Sequence, residues 1–138
     1  MTGLLPQAGR SMLRSACCLL QGRAGRIEVV YVAHIPYAGV VSAAALAEME
    51  LNFDEVEQAL RTEAGERLRG RSESWGLVRR QGLIADQLIA VAQTFRDADA
   101  GESVAIVVGS SSHAMHRVVG SVAVSLARHS PVPLVIVP

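Results

Sequence analysis

The run Gly109-Ser110-Ser111-Ser112 follows an apolar stretch, Ser103 to Val108, and leads into a helical pattern. Glycine at that junction permits a tight turn and close backbone approach to a ligand. Backbone N–H groups at the start of the next helix, aided by its dipole, favour an anion. The chemistry on offer is capture of a phosphate. The same order of strand, glycine, serine-rich turn and helix also serves as a plain capped connection.

Other constellations are poorer. Ser111 sits where a nucleophile elbow would place its serine, but the closing glycine of that motif is His113. No Asp or Glu follows Glu102, so a downstream acid for a triad is absent from the sequence. His113 and His116 share a helical face at a spacing of three but have no carboxylate or cysteine near them in sequence, so they read as polar loop residues rather than metal ligands. Either of them, or Arg117, is placed to face a bound phosphate. His34 closes a buried strand and reads as a structural or rim residue. All 13 basic residues are Arg, which removes P-loop, Schiff-base and kinase-type lysines at once.

These residues need a scaffold. Ile27 to Ala33 is nearly all apolar and β-branched, a strand buried on both faces and ended by Pro36 and Gly39. Leu46, Met49, Phe53, Val56, Leu60, Ala64 and Leu68 recur at helical steps, with Gly70 closing the helix. Its other face, Glu48, Glu50, Asp54, Glu55, Glu57, Glu63 and Glu66, reads as a solvated surface. Trp75 to Arg79 is a weak strand, because Gly76 interrupts it. Ile84, Leu88, Val91 and Phe95 mark another helix, with a turn at Asp97 to Gly101. Ser103 to Val108 is the clearest buried strand, Arg117 to His129 a helix stopped by Ser130-Pro131, and Leu134 to Val137 a final strand. Alternating strands and helices imply a parallel sheet covered on both faces.

The length, 138 residues, allows one domain spanning residues 1–138. Thirteen acidic residues balance the arginines, which argues against nucleic acid held by global charge. No apolar run approaches the roughly 20 residues that span a bilayer. Residues 1–27 hold Arg10, Arg14, Arg23 and Arg26 and no acid, a bias also seen in transit peptides, but they read as an ordinary first helix, Gly9 to Leu20. Cys17 and Cys18 are adjacent and read as two small buried residues, which fits a reducing, cytoplasmic setting.

Three stretches then resemble the C-terminal half of universal stress protein domains: Val107 to Ser112, Val119 to Ala123, and Arg128 to Val137. The order of elements from residue 27 onward is similar too. The resemblance implies an open, mostly parallel α/β sheet with helices on both faces, Rossmann-like and of the adenine nucleotide alpha hydrolase type. It implies a cytoplasmic regulator that binds ATP or another adenine nucleotide, with Mg alongside, and that is at most a weak ATPase. Nucleotide-binding members carry Gly, two residues, Gly, nine residues, Gly, then Ser or Thr. By resemblance, Gly109 and Ser110 approach the phosphates, Ser112 takes the second glycine's place, and Gly120, Ser121 and Val122 finish the cradle. Val32 and Val108 flank the adenine. The resemblance also implies a homodimer through the edge strand Leu134 to Val137.

Three departures stand out. Ser112 adds a Cβ at a glycine position, the loop is two residues short, and the family's first strand with its Asp has no counterpart. That strand is central in the family's 3-2-1-4-5 order. Either the polypeptide starts earlier, or Ile27–Ala33 pairs directly with Ser103–Val108, or a partner chain supplies the strand. The alternative function is a dimeric interaction module of the same fold that has lost nucleotide binding.

Overall fold

Two parallel ribbons carry the architecture. β1 (Arg26–Ala33) pairs with β2 (Ser74–Gln81) along its full length, from Arg26 opposite Ser74 to Ala33 opposite Gln81. β3 (Ile106–Gly109) pairs with β4 (Leu134–Val137), Ile106 opposite Leu134 and Gly109 opposite Val137. Helix α1 (Gln7–Leu20) precedes β1, and α2 (Ala43–Arg67), α3 (Ile84–Ala98) and α4 (His116–His129) make the three crossovers. The computed structural model describes residues 7–21, 23–33, 41–71, 73–109 and 116–137, with backbone only for residues 7, 8 and 116–121. Pro36 and Gly39, expected to end the first strand, lie outside the described residues.

The expected single sheet is divided. Among the described residues β1 and β3 are not hydrogen-bonded to each other, so direct pairing of Ile27–Ala33 with Ser103–Val108 is not what the chain does. The two ribbons nonetheless share their helices. The side chains Leu13, Ala16, Cys17 and Leu20 of α1 pack with Ile27, Val29 and Trp75 of the first ribbon and with Leu68 at the end of α2, while the helix itself runs beside β3 and β4. Helix α3 lies beside β1 and buries Ala85 and Ala92 with Ile106 of β3. β1 and β3 are therefore the inner strands.

Their open inner edges explain a second correction. Strands expected to be buried on both faces are only partly so: Ile27 and Ala33 are buried, residues 29–32 are half-buried, and in β3 only Ile106 is buried. A strand lacking one neighbour leaves its flank open whatever covers its faces. The strand expected at Ser103–Val108 is also shorter and shifted to Ile106–Gly109, because its four-residue partner offers no ladder to residues 103–105. Alternate amides of β1 and β3 point along each edge in a parallel ladder. Those on the inner edges should exchange with solvent far faster than their neighbours in amide hydrogen-exchange NMR; uniform protection along β1 would contradict the open edge.

β2 is longer than the sequence suggests, running from Ser74 to Gln81 straight through Gly76. Gly76 lies opposite Glu28, and the Arg26–Glu28 ion pair (2.9 Å) lies over it. A Cβ at position 76 would run into the Arg26 guanidinium and stand 2.9 Å from a Glu28 carboxylate oxygen. The glycine is room for the neighbouring strand's side chains.

Helix α2 starts on Ser42, whose hydroxyl accepts the Ala45 N–H at 3.2 Å. Gly70, at φ +76°, follows its end. Of its apolar stripe Phe53 and Ala64 are buried, as is Leu68 just beyond it; Leu46, Met49, Val56 and Leu60 are half-buried. The acidic side is not simply solvated. Glu63 is buried and pairs with Arg67 at 3.1 Å, and three other carboxylates meet β2. Helix α3 runs on through Asp97, so the turn begins at Asp99. The cysteines also divide: Cys17 is buried and its thiol is pushed up by desolvation, whereas Cys18 is exposed. Adjacent helical residues point about 100° apart, and here Cys17 is the one of the two turned into the cluster of Ile27 and Leu68.

Candidate site at the strand ends

Both ribbons present their carboxyl ends on one rim. Helix α3 starts where β2 ends and carries the chain back to the start of β3, so β3 runs the same way as β1 and β2. The crossover from β1 moves outward to β2, the crossover from β2 returns to β3, and the next moves on to β4. Right-handed crossovers then place α2 on one face and α3 and α4 on the other. The two core clusters agree: one lies under α1 and the end of α2, the other gathers Ala85, Ala92, Ile106, Leu126 and Val132 under α3 and α4. The crevice between β1 and β3 is therefore the switch point of the topology, where open α/β sheets take ligands.

Val32 is the penultimate residue of β1, half-buried and opposite Arg80. Val108 and Gly109 end β3; Val108 packs against the cluster under α3 and α4, and Gly109 is half-buried at the rim. Val32 thus stands near the carboxyl end of β1, and Val108 and Gly109 at the carboxyl end of β3. Ser110, Ser111, Ser112, His113 and His34 lie outside the described residues. Gly120 and Ser121 are the fifth and sixth residues of α4. By helix geometry their N–H groups are spent within the helix, so the free amides belong to the first turn, residues 116–118. A role for Gly120 at a phosphate is one of space, and for Ser121 one of its hydroxyl. The Val122 side chain is partly buried and packs against the core beneath α4.

Helix α1 adds a residue that the sequence reading passed over. Its C-terminus joins the start of β1 through residues 21–25, so its N-terminus, about 20 Å away, lies toward the rim. Arg10 stands on that N-terminal portion, its Nε buried without a hydrogen-bond partner among the described residues. An unpaired buried guanidinium nitrogen is costly and suits an anion.

Of the histidines considered for a hydrolase, the one whose side chain is described is distant. His129 sits at the far end of α4, about 20 Å from the helix start, with its Nδ1 2.9 Å from the Ser125 carbonyl oxygen. Among the described residues no three His, Cys, Asp or Glu side chains converge as a metal site. No helix of the described residues is long and apolar enough to cross a membrane.

An α/β domain of parallel strands, with a glycine ending an inner strand at the switch point, defines a class of small-ligand-binding scaffold. The chain belongs to the universal stress protein family, whose family model matches residues 4–138. Two solved structures share the fold. One is the hypothetical protein MJ0577, reported as a structure-based assignment of biochemical function; it is 14% identical, with a TM-score of 0.75, covering 97% of this chain and 90% of that one. The other is a universal stress protein in complex with cAMP, 20% identical, with a TM-score of 0.58, covering 94% of this chain and 87% of that one. No curated protein matches the chain significantly.

Proposed function

We propose that this universal stress protein binds an adenine nucleotide, ATP foremost, in the crevice between the ends of β1 and β3 and acts as a regulator rather than a fast catalyst. The observation that carries this reading is the placing of Val32, Val108 and Gly109 toward the carboxyl ends of the inner strands, at the topological switch point. Val32 and Val108 would flank the base. Gly109 and Ser110 would let the phosphates approach, Ser112 would stand beside them, and the first-turn amides of α4, the Ser121 hydroxyl and Arg10 would meet their charge. Mg would arrive on the phosphates. Any hydrolysis of ATP is expected to be slow. The complex of a family member with cAMP supports an adenine ligand on this fold. Calorimetric titration with ATP tests the reading.

One observation favours the second reading, an interaction module without nucleotide. The inner edges of β1 and β3 are not paired with each other, so the crevice has no strand between its walls among the described residues. Failure of ATP to bind at millimolar concentration would support that reading.

Either way, the assembly proposed is a cytoplasmic homodimer through β4. That strand pairs only with β3, and its other edge is free among the described residues. Ile136 on β4 and Val124 on α4 are both about half exposed, at 49% and 51%. A free, apolar, uncharged edge strand recruits a partner. Ile136→Arg is expected to weaken self-association at least tenfold in analytical ultracentrifugation; an unchanged dimer would place the interface elsewhere.

A further inference from the structure

Helix α2 is held to its ribbon in two different ways along its length. Near its C-terminus the hold is apolar: Ala64 is buried, a Cβ on Gly65 would meet the Trp75 ring at 3.4 Å, and Leu68 packs with Cys17 and Ile27. Toward the N-terminus Phe53 is the one buried apolar side chain, and Leu51 is 65% exposed. There the hold is ionic. Arg79 of β2 reaches Asp54 at 2.6 Å, Glu57 at 3.4 Å and Glu50 at 3.6 Å. Gln81 donates to Glu50 at 2.8 Å. Arg61 pairs with Glu57 at 3.2 Å and donates to the Leu77 carbonyl at 3.4 Å.

Residues 50, 54, 57 and 61 form one helical stripe, and residues 77, 79 and 81 alternate on one face of β2. The two rows close like a zipper. Two of its three acids are largely in water, Asp54 at 62% and Glu50 at 47% exposed, while Glu57 and Arg79 are partly covered. Pairs of that kind weaken as salt screens them. The stripe's outer end meets Gln81, just before Gly82, whose N–H donates to the Ala33 carbonyl at the end of β1. The N-terminal half of α2 therefore stands over the rim.

We infer that α2 is an ionically latched flap: its N-terminal half is released from β2 as ionic strength rises, while its C-terminal end stays anchored in the apolar cluster. Release opens the rim beside Val32 and needs no nucleotide. The latch is a stress-responsive element in the physical sense, since its strength is set by the surrounding electrolyte.

Amide hydrogen exchange followed by mass spectrometry on the intact chain tests it. Between about 20 mM and 500 mM NaCl, peptides from residues 43–57 should lose about three- to tenfold in protection. Those from residues 60–67, α3 and α4 should stay within twofold. At low salt Arg79→Gln should reproduce the loss and abolish the salt response, and Asp54→Asn, at an exposed position, should do so in part. A uniform response over all helices, or an unchanged N-terminal half in salt and in both variants, overturns the latch.

Discussion

ATP should bind the wild-type chain saturably, and Gly120→Glu should weaken that binding at least about 100-fold, roughly 2.7 kcal/mol. Gly120 is one turn into α4, and on the proposed reading the phosphate tail passes it on the way to the first-turn amides. Glutamate adds bulk and a like charge at that point. It is also a better helix former than glycine by about 0.5 kcal/mol, so the variant should keep its helical circular dichroism and melt no lower. Loss of binding without loss of fold then reports on the crevice. Ser112→Gly, which removes a Cβ where nucleotide-binding relatives have glycine, should tighten binding about three- to tenfold if backbone approach limits it. A wild-type chain silent to millimolar ATP would sink the nucleotide reading and leave the interaction module.

What could be read from the residues alone follows a physical divide. Periodicity located every helix and strand among the described residues, since β-branched runs and three-to-four spacing are local properties. Leu134 to Val137 came out at its observed bounds because Pro131 and Pro133 limit it on one side. Gly76 misled in the direction of caution, because its reason lies in Arg26 and Glu28, fifty residues away and across a ladder. The division into two ribbons was legible only as a choice: residue 27 onward supplies four strands, and nothing local says whether the inner two touch. Their touching depends on α1 and α3, which hold both ribbons side by side while the inner edges stay unpaired.

The site was less legible than the fold for the same reason. Gly109 announces itself by type and by place at the end of an apolar run, and it does end an inner strand. Arg10 announces nothing, because an arginine on a surface helix is ordinary until its Nε is found buried. Val122 was drawn into the cradle by its place beside Ser121. Its direction, however, is set by a core that only the packed helices reveal. The acidic stripe of α2 was legible in part, for Glu48, Asp54, Glu55 and Glu66 are exposed while Glu63 is buried. Glu50, Asp54 and Glu57 look solvated until Arg79 arrives from a strand some twenty-five residues downstream.

Leu126→Ala should be the costliest single truncation of the scaffold. Leu126 is 0% exposed and packs with Ala85, Ala92, Ile106 and Val132 at the heart of the α3–α4 cluster. Its loss is expected to cost about 2–5 kcal/mol, transfer and cavity terms together. Against a typical total of about 5–15 kcal/mol that lowers the melting temperature by roughly 10 °C. Val124→Ala, two residues away and 51% exposed, should change stability by less than about 0.5 kcal/mol. Trp75, the single tryptophan, lies in the other cluster and reports on the first ribbon. Because α1 and α3 each lie against both ribbons, its fluorescence transition should fall with the helical signal in Leu126→Ala. A Trp75 transition that stays put while the helical signal drops would show two ribbons folding apart, and the crevice between them would then have no fixed width to offer a ligand.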